Sequence, residues 1–332
     1  DCFGQFQPVK MQTPLTLADG IEVSFLEAGH IFGSSIVRID ISKNSDTRTI
    51  LFTGDLGRTN KPILKDPAKP ERADYILLES TYGDRDHEDV GSIKDKLAEV
   101  INSTFEAGGN IVVPSFAIER SQEILYYMNE LLTEDRIPHI MTFLDSPMAI
   151  SVTDVFRRHA ELYDAKMAAM MQNHDSPFSF DGLKMTRSTA QSKAINHIKA
   201  IAMIIAGSGM CTGGRVKHHL VNNISRPEST ILFVGYQAVG TLGRTILEGK
   251  NPVRILGQQH PVNARIAQIQ GFSAHADRNE ALAWLKNLKL PPKTVFCVHG
   301  EEKTVENFRE FLAKKTGWDI RVAKYKQRVR ID

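Results

Sequence analysis

Leu51-Phe52-Thr53-Gly54-Asp55-Leu56-Gly57 decides how this chain is read. An apolar, β-branched run meets Gly-Asp and stops at a second glycine. That pattern predicts a buried strand ending in a tight turn, with one carboxylate at its tip. Taken alone, such an aspartate is best read as a turn residue accepting main-chain amides. Similar tips recur along the chain. His30 follows an apolar strand in Glu27-Ala28-Gly29-His30, Glu79 ends Tyr75-Ile76-Leu77-Leu78-Glu79, and His299 ends Thr294-Val295-Phe296-Cys297-Val298-His299. His275 lies just beyond another apolar run, in Gly271-Phe272-Ser273-Ala274-His275-Ala276-Asp277. Ligand and catalytic side chains collect where a rigid strand meets solvent, so five such positions call for a shared explanation.

Composition sets outer bounds. The 332 residues suffice for two domains with real cores, and 42% hydrophobic with 24% charged content is ordinary for a globular chain. A net charge of +2 excludes bulk basicity as a source of nucleic-acid affinity, so any such binding rests on local clusters. Cys2, Cys211 and Cys297 are too few and too scattered for a disulfide framework or a four-cysteine zinc site. A reducing, cytoplasmic setting is expected. No apolar run reaches the length of a membrane span, and no signal peptide is visible. The sequence begins with Asp, which reads as a start other than the natural one.

The rhythm of the chain changes twice. Residues 1–85 are short strands (21–26, 36–41, 49–53, 75–78), with a polar hairpin turn at 42–48 and a proline-rich loop at 61–70. Strand–helix alternation follows. Helices are expected at 90–106, 117–132, across 147–172, and at 214–221 and 242–247; strands at 111–113, 139–144, 200–205 and 230–234. The stretch 173–187 is read as an irregular surface connection. Such alternation implies parallel strands with right-handed crossovers. After about 260 the earlier style returns, with strands at 264–269, 294–298 and 320–323 and helices at 278–288 and 303–315. The expected domains are a split α/β domain at 1–85 and 271–332 and a second α/β domain inserted at 86–270.

His30, Asp55 and His299 are the ligand types zinc takes when thiolates are absent, although their spacing is too long to prove a site. Glu79 and His275 form a second set: a carboxylate that orients an imidazole makes it a proton donor near neutral pH. The glycine-rich stretch Ala206-Gly207-Ser208-Gly209-Met210-Cys211-Thr212-Gly213-Gly214-Arg215 follows a strand and opens a helix. Its amides can approach an anion, and Arg215 can add a bidentate phosphate contact. It is neither a dinucleotide fingerprint nor a Walker loop, and a plain tight turn explains its glycines about as well. Arg120 and Arg244 sit in the first turns of helices, where the dipole disfavours a cation unless an anion is near. His218 and His219 project about 100° apart and read as surface residues rather than a metal pair. His87, His139, His159, His174, His197 and His260 carry no pattern.

In order, the motifs are Ala-Gly-His30, Thr-Gly-Asp55, Glu79-Ser-Thr-Tyr-Gly-Asp, Val-Pro-Ser-Phe-Ala-Ile-Glu-Arg, Leu-Asp-Ser-Pro-Met, Gly-Ser-Gly-Met, Gly-Gly-Arg, Phe-Ser-Ala-His275-Ala-Asp and Val-His299-Gly-Glu. This series resembles the β-CASP branch of the metallo-β-lactamase superfamily, from about residue 10 to the end. It is similar to RNA-processing nucleases of the kind found in the pre-mRNA cleavage and polyadenylation complex. The resemblance implies an αββα metallo-β-lactamase-like domain, incomplete at its N-terminal side, with an inserted parallel-sheet α/β β-CASP domain. It implies two Zn2+ ions per intact site, with His30, Asp55 and His299 as ligands and Asp55 bridging. Asp55, Glu79 and His275 are the implied catalytic residues. Ser208, Gly209, Met210 and Arg215, with Arg120 and Arg244, are the expected RNA phosphate contacts. The implied reaction is hydrolysis of single-stranded RNA by a metal-activated hydroxide, leaving a 5′-phosphate and a 3′-hydroxyl. Relatives of this kind often form homodimers.

The family's His-x-His-x-Asp-His motif does not occur in this sequence. The expectation is therefore a piece of a longer enzyme, weakly active by itself. A catalytically inactive RNA-binding scaffold stands as the alternative, and a small-ester metallo-hydrolase as a more distant one.

Overall fold

A computed structural model of the chain describes residues 2–44, 46–87, 91–173 and 175–331. Val90, expected to open the first helix, Ser45 in the expected hairpin turn, and His174 lie outside them. The chain opens with β1 (Leu15–Ala18), β2 (Ile21–Glu27), β3 (Ser35–Lys43), β4 (Asp46–Phe52) and β5 (Tyr75–Glu79). It continues with α1 (Gly91–Ala107), β6 (Ile111–Pro114), α2 (Arg120–Thr133), β7 (Met141–Asp145), α3 (Pro147–Arg158), α4 (Ala165–Gln172), β8 (Leu183–Met185), α5 (Thr189–Ile195), β9 (Ala202–Ala206), α6 (Val216–Asn223), β10 (Thr230–Phe233), α7 (Leu242–Leu247), β11 (Val253–Ile255), β12 (Gln258–His260) and β13 (Arg265–Gln268). It closes with α8 (Arg278–Leu285), β14 (Thr294–Val298), α9 (Glu302–Thr316) and β15 (Ile320–Val322). No helix among the described residues is long and apolar enough to cross a membrane.

The chain divides into two compact units, residues 1–86 with 274–332, and residues 87–273. The first unit holds a seven-stranded sheet in the order β1-β2-β3-β4-β5-β14-β15. β3 runs antiparallel to both β2 and β4, so β2 and β4 point the same way. β5 is parallel to β4, β14 to β5 and β15 to β14. The carboxyl ends of β2, β4, β5 and β14 therefore share one sheet edge, the edge that carries His30, Asp55, Glu79 and His299. Leu51, Ile76, Leu78, Val295 and Cys297 from the sheet pack with Leu282, Leu285, Phe308 and Leu312 from α8 and α9. This helix-on-sheet packing is the α–β layer of a metallo-β-lactamase-like fold, and burial of these side chains is its main stabilising term.

The second unit is a six-stranded sheet in the order β13-β10-β6-β9-β7-β8, parallel throughout. Its central strands read as continuous apolar runs because both faces are covered; all of Ala202–Ala206 is buried. The chain leaves β6 toward β7 on one side and leaves β9 toward β10 on the other. Adjacent strands with opposite crossovers open a crevice between the loops at their carboxyl ends.

Some elements differ from expectation. The 173–187 stretch is not wholly irregular, since β8 pairs parallel with β7 through Leu183, Lys184 and Met185. β1, β8, β11 and β12 are three or four residues long, too short to show a periodicity. The helix expected at 117–132 starts at Arg120. Ser121 Oγ donates to the Phe116 carbonyl at 2.7 Å, which holds 115–119 as a turn.

Candidate active site and phosphate loop

Gly57 shows how tightly the first unit's site is built. Its amide donates to the Ala28 carbonyl at 2.8 Å. A Cβ at Gly57 would stand 1.9 Å from the Gly29 carbonyl oxygen, so only glycine lets the loop after β4 lie against the loop after β2. That contact brings Asp55 beside His30.

Asp55 stands between two imidazoles. Its Oδ2 is 3.6 Å from His30 Nε2, and its Oδ1 is 3.5 Å from His299 Nδ1. Both distances are long for hydrogen bonds. They suit two ligands of one tetrahedral zinc, which at about 2.0–2.1 Å per bond stand roughly 3.4 Å apart. His30, Asp55 and His275 offer ligand atoms that all lie within 4.8 Å of one another. This group among the described residues includes His275, and His299 approaches it through the other oxygen of Asp55.

Burial and the neighbouring His275 pull the His30 pKa down to about 4, so its imidazole is neutral at physiological pH, the form that binds metal. His30 Nδ1 is buried without a well-formed hydrogen bond, and the Ala274 backbone is the weakest of the influences on the ring. A metal on Nε2 would favour the tautomer whose Nδ1–H faces that backbone. These residues fit zinc.

Glu79 is buried at the end of β5 and organises the neighbourhood. Its Oε1 accepts from the Leu56 amide at 2.7 Å, and its Oε2 from the Thr81 amide at 3.3 Å. His275 Nδ1 lies 2.9 Å from Oε1 and 3.1 Å from Oε2. A carboxylate only accepts, so Nδ1 carries the proton and Nε2 is left as the exchanging atom. His275 is anchored on both sides: it bridges to Gly57, and Asp277 caps α8 two residues later through the Asn279 and Glu280 amides. Glu280 in turn accepts from Arg58 Nε at 2.9 Å.

The second unit holds the glycine-rich loop between β9 and α6. Ser208 closes it, with its Oγ accepting from the Gly213 amide at 3.2 Å. Gln237 Nε2 donates to the Gly209 carbonyl at 2.9 Å, and the Gly243 amide donates to the Met210 carbonyl at 3.1 Å. Drawing the Gly209 carbonyl toward Gln237 turns the Met210 amide of the same peptide the other way, while the Cys211 amide beside the Met210 carbonyl donates to the Ser208 carbonyl at 3.1 Å. The Gly209 and Met210 amides have no hydrogen-bond partner among the described residues. Ser208, Gly209, Phe116, Pro147, Met148 and Arg215 help line a cleft of about 510 Å³ at the crevice between β6 and β9.

Each of the three arginines has a carboxylate partner within the chain. Arg215 donates from Nη1 to Asp145 Oδ1 at 2.7 Å and to the Thr186 carbonyl at 3.0 Å, and from Nη2 to the Arg187 carbonyl at 2.8 Å. Arg120 is buried, pairs with Glu123 at 2.6 Å, and lies over the Phe272 ring. Arg244 pairs with Glu248 one turn on. The anion that relieves each arginine is the chain's own carboxylate, so its helical position does not by itself call for a phosphate.

Two residues of this hub were given no site role from sequence. Asp145 ends β7 fully buried and accepts from Thr186 Oγ1 at 2.5 Å, Ser192 Oγ at 2.6 Å, His219 Nε2 at 2.7 Å and Arg215. Burial pushes its carboxyl up, but bonds from His219, Ser192, Thr186 and Arg215 together outweigh that and hold the pKa at about 2. His219, expected at the surface, is 1% exposed and committed to Asp145; His218 is exposed. The available signal was the strand-tip carboxylate in Leu144-Asp145-Ser146-Pro147, the same pattern as at Asp55.

Comparison with known proteins follows the same division. A model described as the Beta-Casp domain matches residues 121–246, and one described as the Zn-dependent metallo-hydrolase RNA specificity domain matches residues 259–323. Ribonuclease TTHA0252 of Thermus thermophilus is 35% identical over 325 residues, covering 98% of this chain and 73% of that protein. The chain belongs to the β-CASP family of metallo-β-lactamase-fold RNA nucleases. An RNase J-like protein of Methanocaldococcus jannaschii is 30% identical over 86% of this chain and 65% of its own length. Transcription termination factor FttA of Methanosarcina mazei is 30% identical over 98% of this chain. The chain spans about half, 52%, of that factor's length. Family membership places this β-CASP chain among hydrolases with a metallo-β-lactamase fold.

Proposed function

We propose that this β-CASP chain is part of a zinc-dependent ribonuclease that, in its intact form, hydrolyses phosphodiester bonds of single-stranded RNA. The observation that carries the reading is Asp55, whose two oxygens face His30 and His299 at 3.6 Å and 3.5 Å beside a Glu79-held His275. His30, Asp55 and His299 would hold zinc. When bound, zinc supplies an activated water and neutralises charge on the phosphoryl oxygen. Glu79 fixes the ring and tautomer of His275, whose Nε2 can then pass a proton to the leaving oxygen. Ser208, with the Gly209 and Met210 amides, would take a backbone phosphate. In this reading Arg215 shapes the mouth of that loop from its place on Asp145. A single strand is favoured because its phosphates can enter a cleft that a duplex cannot.

The test is cleavage of labelled single-stranded RNA, duplex RNA and single-stranded DNA by the wild type and Asp55→Ala, with chelator and then zinc added. Single-stranded RNA should be cut fastest, chelation should stop cleavage, zinc should restore it, and Asp55→Ala should abolish it. Cleavage that survives both chelation and Asp55→Ala would refute the reading. RNA binding with no metal-dependent cleavage by the intact protein would make it an inactive RNA-binding scaffold.

A further inference from the structure

We propose that Phe116 is a stacking platform for one nucleobase of the RNA, an inference that rests on the single-stranded RNA reading above. Phe116 follows β6 and is 42% exposed. Its ring lies against bare main chain. A Cβ built on Gly209 would meet Phe116 Cδ2 at 2.7 Å, and one built on Gly235 would meet Cε2 at 3.7 Å. Any side chain at position 209 would therefore displace the ring.

The backbone beneath the ring is pinned. The Phe116 carbonyl accepts from Ser121 Oγ at 2.7 Å and Ser115 Oγ at 3.1 Å, and the Ser115 amide donates to the Ala206 carbonyl at 2.9 Å. Holding a ring in place before binding lowers the ordering cost of binding.

The surroundings select the occupant. The residues lining the cleft include the apolar Phe116, Pro147 and Met148, the last 67% exposed. They also include Ser208 and Gly209, and the amides of Gly209 and of Met210 next to it are unpaired among the described residues. An occupant that satisfies both features has a flat apolar part joined to an anion, and a nucleotide is that shape: base on the ring, phosphate on the amides. The chain's own carboxylates do not fill the role, because Asp145 in this cleft is already committed to four donors. Stacking on a phenyl face is tolerant of sequence, so Phe116 would grip any base.

Binding would be followed by fluorescence anisotropy, with a ten-nucleotide single-stranded RNA and a ribose-phosphate oligomer of the same length lacking its bases. Wild-type protein, Phe116→Ala and Phe116→Trp would be compared after thermal melts confirm equal folding. Phe116→Ala should weaken RNA binding by roughly 5- to 150-fold, as expected for one lost stack. It should leave binding of the base-free oligomer within about twofold, and Phe116→Trp should restore RNA affinity. RNA affinity unchanged in Phe116→Ala, or an equal loss for both oligomers, would overturn the platform. Wild-type protein that binds neither oligomer would instead remove the RNA reading on which the platform stands.

Discussion

Replacing Asp145 tests the hub that shapes the phosphate loop. The carboxylate accepts four hydrogen bonds in a fully buried position, from Thr186, Ser192, His219 and Arg215. All four go to a charged group and are worth about 1.5–3 kcal/mol each, so the raw sum is about 6–12 kcal/mol. Arg215 keeps 20% of its side-chain surface in solvent and can turn part of its charge to water. Asp145→Ala should therefore cost about 3–5 kcal/mol, the usual range for stranding a buried partner. Asp145→Asn keeps the shape and one good acceptor and should cost about 2 kcal/mol.

The depressed pKa gives an independent figure. A carboxyl at about 2 in the folded state against 3.8 unfolded is worth about 2 kcal/mol of stability. Because the folded value is the lower one, that stability is complete above about pH 4 and is lost as pH falls through about 2. The gap between wild type and Asp145→Asn should therefore be widest above pH 4 and shrink toward pH 2. Urea unfolding at several pH values measures it. Trp284 and Trp318, the only tryptophans in the sequence, both lie in the first unit, so their fluorescence follows that unit while far-UV dichroism follows both. A loss below about 1 kcal/mol for Asp145→Ala, or a gap that does not change with pH, would refute the hub as drawn.

Three other perturbations probe the first unit. Asp55→Asn should leave the melting temperature nearly unchanged, since Asp55 is 42% exposed, yet weaken zinc binding at least tenfold by titration; undiminished zinc affinity would remove Asp55 from the metal site. Glu79→Gln should slow RNA cleavage by about 10- to 100-fold and shift its pH profile, because the amide no longer fixes the His275 tautomer; a profile identical to wild type would contradict that role. Gly57→Ala, with its Cβ 1.9 Å from the Gly29 carbonyl oxygen, should destabilise the chain by about 3 kcal/mol, and a neutral melt would show that the two loops can part freely.

Much of the fold is written locally. The apolar strands that end at Phe52, Glu79 and Val298 are visible because burial on a sheet demands a continuous or alternating apolar run, and a polar residue must stop it. The change of rhythm after residue 86 follows from the same physics, since parallel strands need helical crossovers. Strands of three residues carry too little pattern to be seen, and the start of α2 depended on a serine hydroxyl five residues from the carbonyl it holds.

The candidate site is legible only in part. Sequence by itself determined that His30, Asp55, Glu79, His275 and His299 stand at element ends, because local polarity sets where a strand can stop. It also showed a glycine-rich turn capable of close main-chain approach. Only the tertiary structure decided who meets whom. His275 reaches Glu79 across 196 residues, and Arg215 reaches Asp145 across 70. Such contacts are set by strand order and by helix docking, which no local window contains. That is why the carboxylate partners of Arg120, Arg215 and Arg244 came into view only in the folded chain, and why Asp145 and His219 emerged as the support of the loop only there.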